Sequence, residues 1–432
     1  CYQIHNRARH KIIFLMHLKR VVVTGLGAVT PLGSSVNDYW NNLINGVSGA
    51  ALIKRFDASK FKTRFACEVK GFDVEHYFDK KEARKLDAYS WYGIASSVQA
   101  VADSGLTDET IDKNEVGVIW GSGIGGLDTF QTETFAFAKG DGTPRFNPFF
   151  IPKMIADICS GHISMRFGFR GPNFTTVSAC ASSTNALIDA FNYIRLGKAI
   201  AIVTGGSEAA INESGMGGFN ACQAMSTRNE EPARASRPYD KDRDGFVLGE
   251  GSGAIILEEM EHALARGAKI YAEIIGGGMS ADAHHITAPH PDGLGATLVM
   301  NRALKDAEIS TTDVDYINTH GTSTPLGDTA ELKAIINVFG DHAFNLNISS
   351  TKSMTGHLLG AAGAIEGIAT ILAVKNNIIP PTINHTTADP DINPKLNLTL
   401  NKMQSRNVNI AISNTFGFGG HNAAIVVKKF NP

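Results

Sequence analysis

Phe246–Glu258 reads FVLGEGSGAIILE and Phe416–Lys428 reads FGFGGHNAAIVVK. The two segments lie 170 residues apart and keep step: Phe246 with Phe416, Gly249 with Gly419, and Ala254-Ile255-Ile256 with Ala424-Ile425-Val426. Each is a glycine-rich turn running into an apolar, β-branched stretch, the pattern of a strand covered on both faces. At an offset of 172, FTTVSAC (174–180) aligns with LNISSTK (346–352), each followed by a helical pattern, which sets Cys180 opposite Lys352. Two matches at nearly one offset predict a duplicated chain with halves over 17–260 and 261–432. No Pro/Ser-rich linker divides the halves, so they are expected to share one core.

The rest of the chain agrees with that pattern. Lys19–Gly27, Val116–Gly123, Phe174–Cys180 and Ala199–Glu208 read as buried strands, with helical patterns over Ala83–Ser104 and Ser182–Leu196 between them. Strand and helix in alternation define the α/β class. Of 432 residues, 43% are apolar and 19% charged, an ordinary globular balance. A net charge of −2 gives no global field toward nucleic acid or an anionic membrane, so an acidic partner needs a local patch. Five cysteines without a CxxC spacing argue against a zinc site or a disulfide framework and for a reducing, cytoplasmic setting. No apolar run reaches the roughly 20 residues that span a bilayer. Residues 1–15, basic and followed by Met16, are read as an extra segment outside the fold.

Three residues stand where chemistry is expected. Cys180, in VSACASSTNALIDAF, lies between a strand and a helix, where helix-end N–H groups favour a thiolate. His320, in DYINTHGTSTPLGD, and His357, in SSTKSMTGHLLGAAGAIEG, also follow strands, the places where α/β sheets present functional side chains. Taken singly, each is as readily a buried structural residue; together they make one nucleophile and two imidazoles. Cys159 and Cys222 have no such setting. The tail NTFGFGGHN can offer backbone N–H groups to an oxyanion or simply turn into a strand. GSGIGG at 121–126 departs from the dinucleotide fingerprint, and no phosphate-loop motif is present. Lys80, Lys81, Arg84 and Lys85 cluster within FDKKEARKLDAYS; read as a helix, they pair at i, i+4 into a basic face that is either solvated or a docking patch.

VSACASS, NTHGTSTPLGD, STKSMTGHLLGAAGAIE and NTFGFGGHN, in that order, resemble the β-ketoacyl-acyl carrier protein synthases, most closely their elongating, synthase II branch. The resemblance runs from about Lys19 to Lys428. It implies the thiolase fold, two duplicated α/β halves in a layered αβαβα core, and a homodimer. It also implies an acyltransferase of fatty acid biosynthesis that performs a decarboxylative Claisen condensation. No cofactor is implied beyond the phosphopantetheine arm delivered by acyl carrier protein. By the same resemblance Cys180 takes the acyl group, His320 and His357 stabilise the enolate, and Lys352 orients the site, paired with Glu366. The Cys180 and Phe416 N–H groups hold the oxyanion, and Phe416 gates the nucleophile. Thr322 and Thr324 bind the pantetheine arm, and Ile124 walls the acyl pocket. Lys80, Lys81, Arg84 and Lys85 become the docking patch for acyl- and malonyl-acyl carrier protein. Thiolases and initiating synthases, with Cys/His/Cys or Cys/His/Asn sets, fit less well. A polyketide ketosynthase keeps Cys-His-His and stays open, as does, more remotely, a chain-length-factor-like partner without a nucleophile.

Overall fold

In a computed structural model, described over residues 18–431, one ten-stranded sheet runs through the molecule. The reading of residues 1–15 lies outside the described residues. The sheet's strands, numbered here in chain order, are β1 (Val21–Val29), β2 (Val116–Gly121), β3 (Asn173–Thr176), β4 (Ala201–Glu208) and β5 (Gly251–Glu259). They continue as β6 (Ala272–Ala281), β7 (Tyr316–Asn318), β8 (Asn347–Ser349), β9 (Ile410–Gly417) and β10 (His421–Lys428). In this numbering the order across the sheet is β8-β7-β9-β10-β6-β1-β5-β4-β2-β3. Adding five to each strand of the first half gives the second half in mirror order about the β6/β1 seam. At that seam Val21–Val23 pair antiparallel with Ile274–Ala272.

Five helices complete the layers. α1 (Ala88–Ser104) covers the outer face of the first half, and α3 (Leu294–Asp306) with α4 (Pro325–Phe339) covers that of the second. Between the halves lie α2 (Ser182–Arg195) and α5 (Ala362–Asn376), packed on each other and on strands of the sheet. This is the layered αβαβα core expected from the sequence. The residues of α5 explain its central place. AGAIEGIATILAV is buried at every position from Ala362 to Val374, as a helix apolar all round must be. The one charge in that buried stretch is Glu366.

The expected helix Ala83–Ser104 is broken in two. Asp79 caps a single turn, Lys80–Ala83, and Asp87 caps α1 by accepting from the Tyr89 N–H. Lys80 and Lys81 therefore sit on one turn, Arg84 ends it, and the i, i+4 face is not continuous. The 170-residue repeat holds, since β5 and β10 occupy equivalent places. The 172 offset holds for strands β3 and β8 but fails beyond them. β3 leads into a tight turn, Ala179–Ala181, and straight into α2. β8 leads first into a one-turn helix, Lys352–Thr355, and only then into the matching turn, Leu359–Ala361, and α5. The two turns share an unusual backbone: Ala179 has φ +50° and Leu359 φ +49°. The counterpart of Cys180 is thus Gly360, and Lys352 rides on an insertion present only in the second half.

Candidate active site

The ends of β3, β7 and β8 converge on a cavity of about 330 Å³ lined by Cys180, His320, His357, Thr322, Thr324, Phe416 and Phe418, among others. Cys180 sits in the turn that opens α2, held there by the left-handed Ala179 and by Ser182, whose hydroxyl accepts from the Ser178 N–H at 2.9 Å and donates to the Ala179 carbonyl at 2.7 Å. Gly417 makes this turn possible. A Cβ there would stand 2.8 Å from the Ser178 carbonyl and 3.1 Å from the Cys180 nitrogen, so only glycine lets the β9 end pass so close.

The two imidazole rings face each other edge to face, centroids 5.2 Å apart at 87°. His320 is fixed through its backbone: its N–H donates to Glu331 Oε1 at 3.0 Å, and the Gly321 N–H to Oε2 at 2.9 Å. The His357 N–H donates to the Val247 carbonyl at 2.7 Å, which ties the insertion to the chain leading into β5. Nδ1 of each ring is buried without a hydrogen-bond partner. Burial, and then the Lys352 charge, push both imidazoles well below their ordinary pKa; for His320 the neighbouring His357 adds to this. Both rings are therefore neutral near pH 7, each with one N–H to give.

Lys352 and Glu366 form a fully buried ion pair beneath the histidines. Burial pushes the Glu366 carboxyl up to about 7, against the opposing pull of the Lys352 ammonium. Such a pair does little for stability, since desolvation offsets attraction, but it places a fixed charge under the imidazoles.

The expectation of a thiolate-rich Cys180 is corrected. Burial pushes the thiol up to about 12; the Phe418 backbone N–H and the Lys352 charge pull the other way without winning. Cys67 and Cys159, also buried, are pushed up to about 12 as well, so only the surroundings of Cys180 set it apart. The backbone N–H that reaches Cys180 belongs to Phe418 rather than Phe416. Phe416 is still inside β9, opposite Asn422, and the strand ends at Gly417. What Phe416 gives the site is its ring, 5.5 Å from that of His320.

Thr322 and Thr324 line the cavity with their hydroxyls 3.0 Å apart. Ile124 lies outside the lining, 38% exposed. The basic cluster is also outside it. Lys80 pairs with Glu75 at 3.4 Å, and the Lys85 ammonium sits 5.5 Å from the centre of the Phe149 ring. Two functional residues escaped sequence reading. Phe418 was hidden by a second phenylalanine in the same glycine-rich stretch, and Glu331 by its place eleven residues past His320 on a helix. An acid among apolar residues in TAELKAII was the available signal for Glu331.

A sheet in two mirrored halves, with a cysteine and two histidines at its strand ends, defines a thiolase-like condensing enzyme. Family models described as the β-ketoacyl synthase N-terminal domain, over residues 18–263, and C-terminal domain, over 271–386, match the chain, which belongs to the β-ketoacyl synthase family. It is similar to the 3-oxoacyl-acyl-carrier-protein synthase 2 of Synechocystis sp., 49% identical over 95% of this chain and 98% of the relative. Among solved structures, a β-ketoacyl synthase from Burkholderia phymatum superposes with TM-score 0.89 at 35% identity, covering 96% of this chain and all of the other. A type II polyketide ketosynthase solved with its acyl-carrier protein gives TM-score 0.87 at 33% identity, with the same coverage.

Proposed function

We propose that the chain elongates acyl groups on acyl carrier protein for fatty acid synthesis, by condensing an acyl-Cys180 thioester with malonyl-acyl carrier protein. The observation that carries this reading is the shared cavity of one thiol and two neutral imidazoles, with a backbone N–H aimed at the sulfur. The Cys180 sulfur attacks the acyl thioester carbonyl as its proton passes to a neutral imidazole. The tetrahedral oxyanion is held by the Cys180 and Phe418 N–H groups, and the pantetheine thiol leaves with that proton. Malonyl carrier protein then enters along Thr322 and Thr324. Its carbon–carboxylate bond breaks, CO2 departs, and the electron pair is held as an enolate whose oxygen accepts from the His320 and His357 N–H groups. The enolate carbon attacks the Cys180 thioester, and collapse expels the thiolate and yields a 3-oxoacyl product two carbons longer. Lys352, paired with Glu366, disfavours a charged imidazole, so the ring that takes the Cys180 proton gives it up again to the pantetheine thiol and both rings are neutral when the enolate forms. Full-length synthase 2 similarity at 49% identity, against 33% for the polyketide ketosynthase, favours the fatty acid reading.

Ile124, outside the lining of the cavity itself, walls the acyl chain's path beyond it in this reading, and Lys80, Lys81, Arg84 and Lys85 dock the carrier protein. The working form is a homodimer in the cytoplasm. β3 is an edge of the sheet, Val177 just beyond it is 61% exposed, and Phe130, Phe135, Phe137, Phe149 and Ile151 are exposed apolar side chains as well. Four free cysteines among the described residues suit a reducing compartment. The deciding experiment offers acyl carrier proteins of graded chain length together with malonyl-acyl carrier protein and follows Cys180 acylation and product length by mass spectrometry. Transfer followed by a two-carbon extension is expected; acylation without extension defeats the reading.

A further inference from the structure

The twin of the nucleophile turn is not empty. Glu208, the last residue of β4, is completely buried and projects its carboxylate into the turn around Gly360. Oε2 accepts from the Gly360 N–H at 3.0 Å and the Gly123 N–H at 2.8 Å. Oε1 accepts from the Ile124 N–H at 3.1 Å, the Gly125 N–H at 3.4 Å and the Ser122 hydroxyl at 3.3 Å. Five donors on one carboxylate exceed the roughly four lone-pair sites of its two oxygens, so no acceptor capacity is left over. The packing leaves no slack, for a Cβ on Gly360 would fall 2.2 Å from the Gly123 nitrogen and 2.6 Å from Glu208 Oε2. A Cβ on Gly123 would fall 2.9 Å from Glu208 Oε2 and 3.3 Å from the carbonyl of Ala179, the residue before Cys180.

The symmetry makes the placement informative. β4 ends at Glu208 where β9 ends at Gly417. At the catalytic turn, the chain beyond β9 brings a backbone N–H to Cys180 and leaves room for substrate. At the twin turn, the side chain ending β4 fills that room and binds three N–H groups of the Gly123–Gly125 loop to the chain three residues after His357. One carboxylate thus fixes two segments that border the nucleophile, from opposite halves.

We propose that Glu208 is a positioning residue that sets the Ser122–Gly125 loop against the twin turn and so determines how long an acyl chain Cys180 accepts past Ile124. This rests on the reading of Ile124 as a wall of the acyl pocket. In Glu208→Gln, an amide N–H opposes backbone N–H groups and the loop must shift. In Glu208→Asp, the carboxylate survives one methylene short.

The test measures kcat and KM for Cys180 acylation by short- and long-chain acyl carrier proteins, with malonyl decarboxylation and thermal midpoint alongside. Loss of one buried acceptor should change the long-to-short ratio of kcat/KM by about tenfold in Glu208→Gln, mainly through KM for the long chain. Glu208→Asp should recover part of the wild-type ratio. Equal losses at every length and in decarboxylation would reduce Glu208 to a structural role and overturn the proposal, as would an unchanged profile. If Glu208→Gln does not fold, Ser122→Ala removes a single donor, and its profile must move the same way or the proposal falls. Ile124→Phe, run in parallel, isolates the underlying reading: if it leaves the length profile unchanged, Ile124 is no wall, whatever Glu208 does.

Discussion

Phe246 and Phe416, in step in the internal repeat, each lay a ring against a different active-site histidine: Phe246 on His357 at 5.4 Å, Phe416 on His320 at 5.5 Å. The contacts box the imidazoles from two sides and keep water from solvating a charged ring. Neutral histidines follow from this packing together with Lys352.

Iodoacetamide should abolish activity by alkylating Cys180, and its rate should still climb from about pH 7 to about pH 10, because the thiolate is the reacting form. With the thiol held at about 12, the thiolate fraction grows tenfold per pH unit throughout that range. Exposed Cys222 should be labelled earlier without abolishing transfer. A plateau below about pH 8 would mean that the helix end outweighs burial.

Replacing His320 or His357 by Ala should leave measurable acylation of Cys180 but slow CO2 release by about 10²–10³, the usual loss for one preorganised donor. Cys180→Ala should abolish condensation yet retain some malonyl decarboxylation. Acyl-enzyme mass shift and labelled CO2 report the two steps separately. Histidine variants that acylate as poorly as they decarboxylate would assign the imidazoles chiefly to proton removal from Cys180. Because both folded imidazoles titrate well below 6.5, the acid limb of CO2 release should lie below that value.

Gly417→Ala should slow acylation by at least about 100-fold while the protein stays folded, since its methyl group meets the Ser178 carbonyl and Cys180 nitrogen and displaces the Phe418 N–H. A normal acylation rate in a folded variant would show that the β9 end can give way.

Reversing the charges of Lys81, Arg84 and Lys85 should weaken carrier-protein substrates far more than short pantetheine thioesters, because a surface patch steers a protein and scarcely touches a small molecule. Equal losses for both point to another role for the patch.

Sedimentation at micromolar concentration should give about twice the 46.2 kDa of one chain. Replacing Phe135 and Phe137 by Ser should shift it toward monomer. A single-chain species for the unaltered protein would leave the β3 edge without its partner.

Much of this site was legible because strand ends advertise themselves. Cys180, His320 and His357 each follow an apolar run that halts at small polar residues. β5 and β10 could be matched because buried strands keep their β-branched residues. The length of an insertion leaves no such trace, and so Cys180 was set opposite Lys352 rather than Gly360. Glu208 and Glu331 were passed over for a related reason. An acid closing a strand, or on a helix, is ordinarily solvated, and only the assembled fold shows that backbone N–H groups surround both carboxylates.

The insertion between β8 and the twin turn also bears on the history of the chain. Lys352 and His357 both ride on it, and the first half has nothing comparable between β3 and Ala179. Doubling a gene supplies two equal sites; lengthening one connection breaks the tie. One copy kept the thiol, the other acquired the groups that handle the nucleophile's substrate, and neither can now serve alone. The chain is an obligate pair of specialised siblings fused end to end, in which a lesion in either sibling stops the joint product and leaves the other only its own half of the work.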